Sequence, residues 1–171
     1  MDDLEREIEE AASVQITEAD LGRDEHQQAI VALLDAYSRD AMGNGAPLLD
    51  ETKRRLIPGL QEHPTTIVFL AYVGGMPVGL AVCFRGFSTF AARPLINIHD
   101  LAVLPEQRGR GVGRKLLDAI ARKARALGCC KLTLEVLENN RKARRVYEAA
   151  GFGQAVYQPD AGGALFMSKP L

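Results

Sequence analysis

The chain has 171 residues, enough for one domain with a substantial buried core, and its 47% hydrophobic and 25% charged residues are ordinary for a soluble globular protein. Lys and Arg (21) nearly balance Asp and Glu (22), so whole-chain charge gives no support to a nucleic-acid or membrane partner. Cys83, Cys129 and Cys130 lack CxxC spacing and are odd in number, which fits neither a disulfide framework nor a zinc site and suits a reducing cytoplasm.

Residues 1–12 are acidic, unlike the basic opening of a secretory signal, and are expected as a tail or frayed helix ahead of a single domain over 13–171. Residues 14–16 are expected as a short first strand. Ile30, Leu33, Leu34 and Tyr37 recur at helical spacing over 25–41, and the glycines and proline of 43–47 stop that helix. Asp50 can cap a second helical stretch, which Pro58 interrupts. Residues 65–73 are β-rich, and their apolar run from 67 to 73 is far short of the ~20 residues of a membrane helix. Gly74-Gly75 then turns the chain back into 77–84 as a hairpin.

A strand over 95–104 ends at Pro105. Val112, Leu116, Leu117, Ile120, Ala124 and Leu127 mark an amphipathic helix over 112–127, stopped by Gly128. Residues 131–137 alternate, with Leu132, Leu134 and Val136 on one face. Ala143, Val146, Tyr147 and Ala150 align on a helix over 141–150. Residues 152–157 and 164–168 are expected as closing strands. This order predicts an α+β domain: a mixed sheet of six to seven strands, antiparallel early with one right-handed parallel crossover, flanked by about four helices.

The most informative segment is Gln107-Arg108-Gly109-Arg110-Gly111-Val112-Gly113-Arg114, between a strand and a helix start. Alternate glycines let the backbone bend sharply and approach a ligand. Successive N–H groups, the positive helix end and three arginines can then converge on a diphosphate. The Walker pattern fails, because Arg114-Lys115-Leu116 stands where Gly-Lys-Ser/Thr is required. The GxGxxG pattern fails when counted from Gly109, because Arg114 takes the place of its third glycine.

The pattern [RQ]xxGx[GA] is met by Arg108, Gly111 and Gly113, and on these residues the chain resembles the GNAT superfamily of acyl-CoA N-acyltransferases. The likeness runs from about Phe69 to the C-terminus and includes residues 98–105 as a central strand, 134–140, and Gly151-Phe152. It implies the GNAT fold and acetyl-CoA as co-substrate, with no metal. It also implies that Leu101, Ala102 and Val103 hold the pantetheine arm. Arg108, Gly109, Arg110, Gly111, Val112, Gly113 and Arg114 would bind the diphosphate, while Asn140 and Tyr147 contact the carrier. By the same resemblance Tyr147 is the acid that protonates the departing thiolate, as an ordinary tyrosine pKa near ~10 allows. Asn140 is equally a helix cap, and Asn139 is its neighbouring alternative.

A base must free the amine, whose unperturbed pKa is ~10.4. Glu135 is ranked first, Asp100 second and His99 third. Each has an ordinary alternative, a surface or paired carboxylate or a hydrogen-bonded histidine. An acyl-cysteine at Cys129 or Cys130 is ranked low, because buried cysteine usually behaves as a small apolar residue, and His26 and His63 carry no role. No HExxH or GxSxG occurs. Residues 85–91 and 99–103 are similar to segments of diamine and thialysine acetyltransferases, with His99 and Asn139 replacing a glutamate and a tryptophan of those relatives. The resemblance therefore implies a small-molecule amine acceptor, one wall of its site coming from residues 43–64. A protein or peptide amine, or an acyl-CoA sensor without turnover, are the rival readings, and a homodimer is implied by resemblance alone.

Overall fold

A computed structural model describes residues 13–156, 160 and 162–171. They form two compact units, one ending at Leu134 and one spanning Glu135–Leu171. The acidic segment 1–12 and Tyr157 lie outside the described residues.

The first unit holds β1 (Val14–Glu18), α1 (Asp24–Arg39), α2 (Asp50–Glu62), β2 (Thr66–Val73), β3 (Met76–Ser88), β4 (Arg93–Val103), a 3-10 turn (Pro105–Gln107), α3 (Val112–Ala126) and β5 (Leu132–Leu134). The sheet order is β1-β2-β3-β4-β5. The first four strands are antiparallel, and β5 joins β4 in parallel after the α3 crossover. The Gly74-Gly75 turn holds Val73 opposite Met76, with φ of 56° and 75° at the two glycines, a conformation most side chains resist.

Strand alternation divides the core. Val68, Leu70, Leu80 and Val82 pack against Ile30, Leu33 and Leu34 of α1 and Ile57 and Leu60 of α2. The intervening residues, Ala81 and Cys83 among them, face the other side, where α3 buries Val112, Leu116, Leu117, Ile120 and Ala124. Full burial of a side chain such as Leu116 or Ile120 stabilises the fold by about 1.5–3 kcal/mol relative to exposure. Asp35 ties α1 to α2: hydrogen bonds from Lys53, then Arg39 and the Leu48 N–H, hold its carboxyl down at about 2.

Several expectations are corrected. The helix over 112–127 and the hairpin stand as expected, but α1 stops at Arg39, with Asp40 as C-cap, before the glycine-rich stretch. Leu49, and not Asp50, is the N-cap of α2; Asp50 sits in the first turn, where its charge complements the helix end. Pro58 costs α2 a hydrogen bond without ending it, because Ile57 and Leu60 anchor the turns around it in the core. The strand expected over 131–137 shortens to β5.

The second unit holds α4 (Arg141–Ala149), none of whose residues is buried: Tyr147 is half-buried and Val146 exposed. The described parts of the two expected closing strands form no strand, so the sheet has five strands among the described residues instead of six to seven. Ala164 N–H reaches Ala155 O at 3.3 Å, but Leu165, Phe166 and Met167 stay exposed. Gly153 weakens the first segment as a ladder former.

Candidate active site

The loop between β4 and α3 bends at two glycines in the left-handed region, Gly109 (φ 77°) and Gly111 (φ 82°). Gly111 is the N-cap of α3 and supplies no side-chain cap. The N–H groups of the first helical turn therefore have no acceptor within the helix and aim outward. A Cβ on Gly109 or Gly111 would meet nothing within 4 Å. Backbone conformation, and not crowding, requires glycine at both positions.

The three arginines are used differently. Arg110 Nη1 donates to the neutral Gln107 side chain at 2.9 Å, and Arg110 forms no ion pair among the described residues. Arg114 pairs with Asp118 at 3.1 Å along α3. Arg108 turns away: its Nε donates to Val103 O at 2.9 Å, and its Nη2 pairs with Asp40 Oδ2 at 2.6 Å.

β4 carries a break in register. Val82 faces Asp100 while the next residue, Cys83, faces Ile98, so His99 is an extra residue, a β-bulge. Its effect shows in the hydrogen bonds. Ile96 N–H donates to Lys131 O on the β5 side, whereas Leu104 N–H donates to Val78 O on the β3 side. Unbroken alternation would send two even-numbered residues the same way. Beyond the bulge, alternation turns the backbone groups of Ala102 toward β3 and those of Leu101 and Val103 away from it. β5 pairs with β4 only over Ile96–Ile98, so Leu101 and Val103 lie on a strand edge with no strand partner among the described residues.

Asp100, beside the bulge, is half-buried. Burial pushes its carboxyl pKa up, against a smaller downward pull from His99. Tyr37 is raised by its own burial and then by the negative charges of Asp100 and Asp40. His99 is exposed; its ring meets Phe84 edge-on at 5.5 Å, and Phe84 lies 4.6 Å from His63. His26 is buried and accepts the Asp20 N–H at Nδ1, a role in holding the turn ahead of α1. Burial raises the Cys129 thiol, and Cys83 is pushed up to about 12, so neither is a ready nucleophile. Among the described residues no group of three or more His, Cys, Asp and Glu gathers to hold a metal.

The remaining expected residues belong to the second unit. Glu135 and Asn139 are exposed. Asn140 caps α4, its Oδ1 accepting the Ala143 N–H at 3.2 Å. Tyr147 is two turns on, its ring 6.0 Å from Phe152, whose N–H donates to Tyr147 O. Sequence reasoning missed two residues of the first unit, Asp40 and Gly79. A Cβ on Gly79 would lie 2.9 Å from Ala102 O and 3.3 Å from Val112 Cγ1, so this glycine lets β4 and the start of α3 close together. A glycine inside an apolar strand was the available signal.

An antiparallel meander, a bulged fourth strand with a free edge, and a glycine-bent entry to the crossover helix make up the architecture expected of an acyl-CoA N-acyltransferase domain. Residues 27–152 match the acetyltransferase (GNAT) family, and the chain belongs to it. It is 37% identical over 78 residues to thialysine N-epsilon-acetyltransferase of Bos taurus, covering 46% of this chain and 45% of that one. It is also 37% identical over 95 residues to streptothricin acetyltransferase of Streptomyces lavendulae, covering 51% and 50%. The chain thus spans about half the length of these two curated relatives. An aminoglycoside acetyltransferase from an uncultured soil sample, solved with sisomicin, superposes with a TM-score of 0.71 at 17% identity over 92% of this chain and 95% of that one.

Proposed function

We propose that the chain moves an acetyl group from acetyl-CoA to the primary amine of a small molecule, in a complex holding both. The observation that carries this reading is the free edge at Leu101 and Val103, placed directly before the glycine-bent loop. Backbone N–H groups of Gly109 to Gly113, with the charge of Arg110, would hold the carrier's diphosphate. The Leu101 and Val103 groups would take the arm as an added strand, and an N–H on that edge can face the thioester oxygen. The carrier supplies an activated acetyl group.

In this reading Asp100 takes the amine's proton. Its raised pKa makes it a better base than an ordinary carboxylate. Glu135, exposed at the start of the second unit, is the alternative. Tyr147 is the acid for the departing thiolate. A small-molecule acceptor is supported by the relatives named for thialysine and streptothricin. A cytoplasmic setting agrees with three free cysteines. The test is thiol release from acetyl-CoA against a panel of small amines, polyamines, aminoglycosides and N-terminal peptides. Release with a small amine is expected. Release with peptides alone would move the assignment to a protein acetyltransferase, and coenzyme A binding without release would leave a sensor.

A further inference from the structure

Asp40 ends α1, and every polar group it has is engaged. Its N–H donates to Tyr37 O, and its C=O accepts from Gly43 and Gly45. Its Oδ1 accepts the Met42 N–H at 2.8 Å, and its Oδ2 takes Arg108 Nη2 at 2.6 Å. The carboxylate is mostly shielded, with 17% of its side chain exposed, and those two contacts hold its pKa below the ordinary range. A short, charge-assisted bond to a fixed carboxylate therefore sets where the Arg108 guanidinium stands. From that place Arg108 Nε closes Val103 O, one of the few polar groups on the free edge of β4.

We propose that Asp40 is a positioning residue for the acyl carrier: it holds Arg108 on Val103 O, so that the arm must register on Leu101 N–H, Leu101 C=O and Val103 N–H. The inference rests on the acyl-carrier reading above. It assigns the arginine of the family-like pattern a task on the strand edge and leaves the diphosphate to the loop N–H groups and Arg110. It also joins the end of α1 and the loop after it, expected to wall the acceptor site, to the carrier's binding edge by a contact spanning 68 positions in the chain.

The test compares wild type with Asp40→Asn, whose amide oxygen can still accept the Met42 N–H while its NH2 faces Arg108 and breaks the pair. KM is measured for acetyl-CoA, for acetyl-pantetheine (which lacks the diphosphate), and for the amine. Expected is a rise of about 10-fold in KM for both acetyl donors alike, with amine KM unchanged, the scale of a misplaced reactant. Arg108→Gln should match it, and the double variant should be no worse than either single change, because the two residues act as one device. Arg108 is half-exposed, so this second variant keeps the fold if Asp40→Asn does not. Unchanged KM values would reduce the contact to a surface ion pair and overturn the proposal. A tighter acetyl-CoA with unaltered acetyl-pantetheine would overturn it too, by showing Arg108 to be a diphosphate ligand that Asp40 withholds. If wild type releases no thiol with any amine, the activity reading fails separately, and calorimetry with coenzyme A and pantetheine reads the same contrast.

Discussion

Gly79→Ala tests how tightly the sheet and the crossover helix are closed beneath the candidate carrier site. Gly79 pairs with Val103 on β4, and its added Cβ would sit 2.9 Å from Ala102 O, 3.3 Å from Val112 Cγ1 and 3.4 Å from Val103 Cγ2. The carbonyl belongs to the backbone of a paired strand and cannot swing aside, so β3 and β4 must part by a few tenths of an ångström. Overpacking of this kind costs about 1–3 kcal/mol. At roughly 2–4 °C per kcal/mol for a chain of this size, the thermal midpoint should fall by about 2–12 °C. Displacement of Ala102 and Val103 should also raise KM for acetyl-CoA, because Val103 belongs to the free edge. Gly86→Ala, on the same strand, is the control. Its Cβ meets only Leu95 side-chain atoms, the nearest at 3.3 Å, and they can yield, so stability should stay within about 0.5 kcal/mol of wild type. Scanning calorimetry and donor KM on both variants check the reasoning. A Gly79→Ala protein with wild-type midpoint and wild-type donor KM would refute it.

Three further outcomes are expected. Gly111→Glu places a carboxylate where a diphosphate is proposed to sit and forces a side chain into a φ of 82°, so coenzyme A binding by calorimetry should be lost; retained affinity removes the loop from carrier binding. Tyr147→Phe should lower kcat by at least ~10-fold with donor KM nearly unchanged, the pattern of a group used in the transition state, and an unchanged kcat takes Tyr147 out of the mechanism. Asp100→Asn should lower kcat/KM by about 100-fold, the usual scale for a lost general base. Because burial raises the Asp100 pKa, its basic form is present only above that raised value. Wild-type kcat should therefore fall as pH drops through a point above the ordinary carboxylate range, and the variant should lack this inflection. A variant that keeps both rate and inflection points to Glu135 or a water chain.

The parts of this molecule that could be read from the sequence are those whose cause is local. Val112, Leu116, Leu117 and Ile120 repeat at helical spacing, and α3 buries them all. The glycine bend at 109 and 111 and the Gly74-Gly75 turn follow from what a backbone without Cβ can do. The hairpin of β3 and β4 extends to Ser88 and Arg93 through Arg85, Gly86 and Phe87, residues of mixed character whose pairing comes from the opposite strand and not from any period of their own. The closing strands fail to form among the described residues for the same reason: the apolar run 164–167 is compatible with a strand but does not supply a partner.

The site divides along the same line. Nothing in Ile98-His99-Asp100 marks His99 as an extra residue; its status follows from the register of the pairs on either side, Cys83 with Ile98 and Val82 with Asp100. Yet that single insertion decides which backbone groups face the free edge. Without it, Ala102 would offer its N–H and C=O there, and Val103 O would point into the β3 ladder, out of reach of Arg108. The Asp40–Arg108 contact depends on that geometry in turn. Motif recognition places Arg108 in a carrier-binding loop, but whether its guanidinium faces a diphosphate or a strand edge depends on a bulge nine residues upstream and a carboxylate at the far end of another helix.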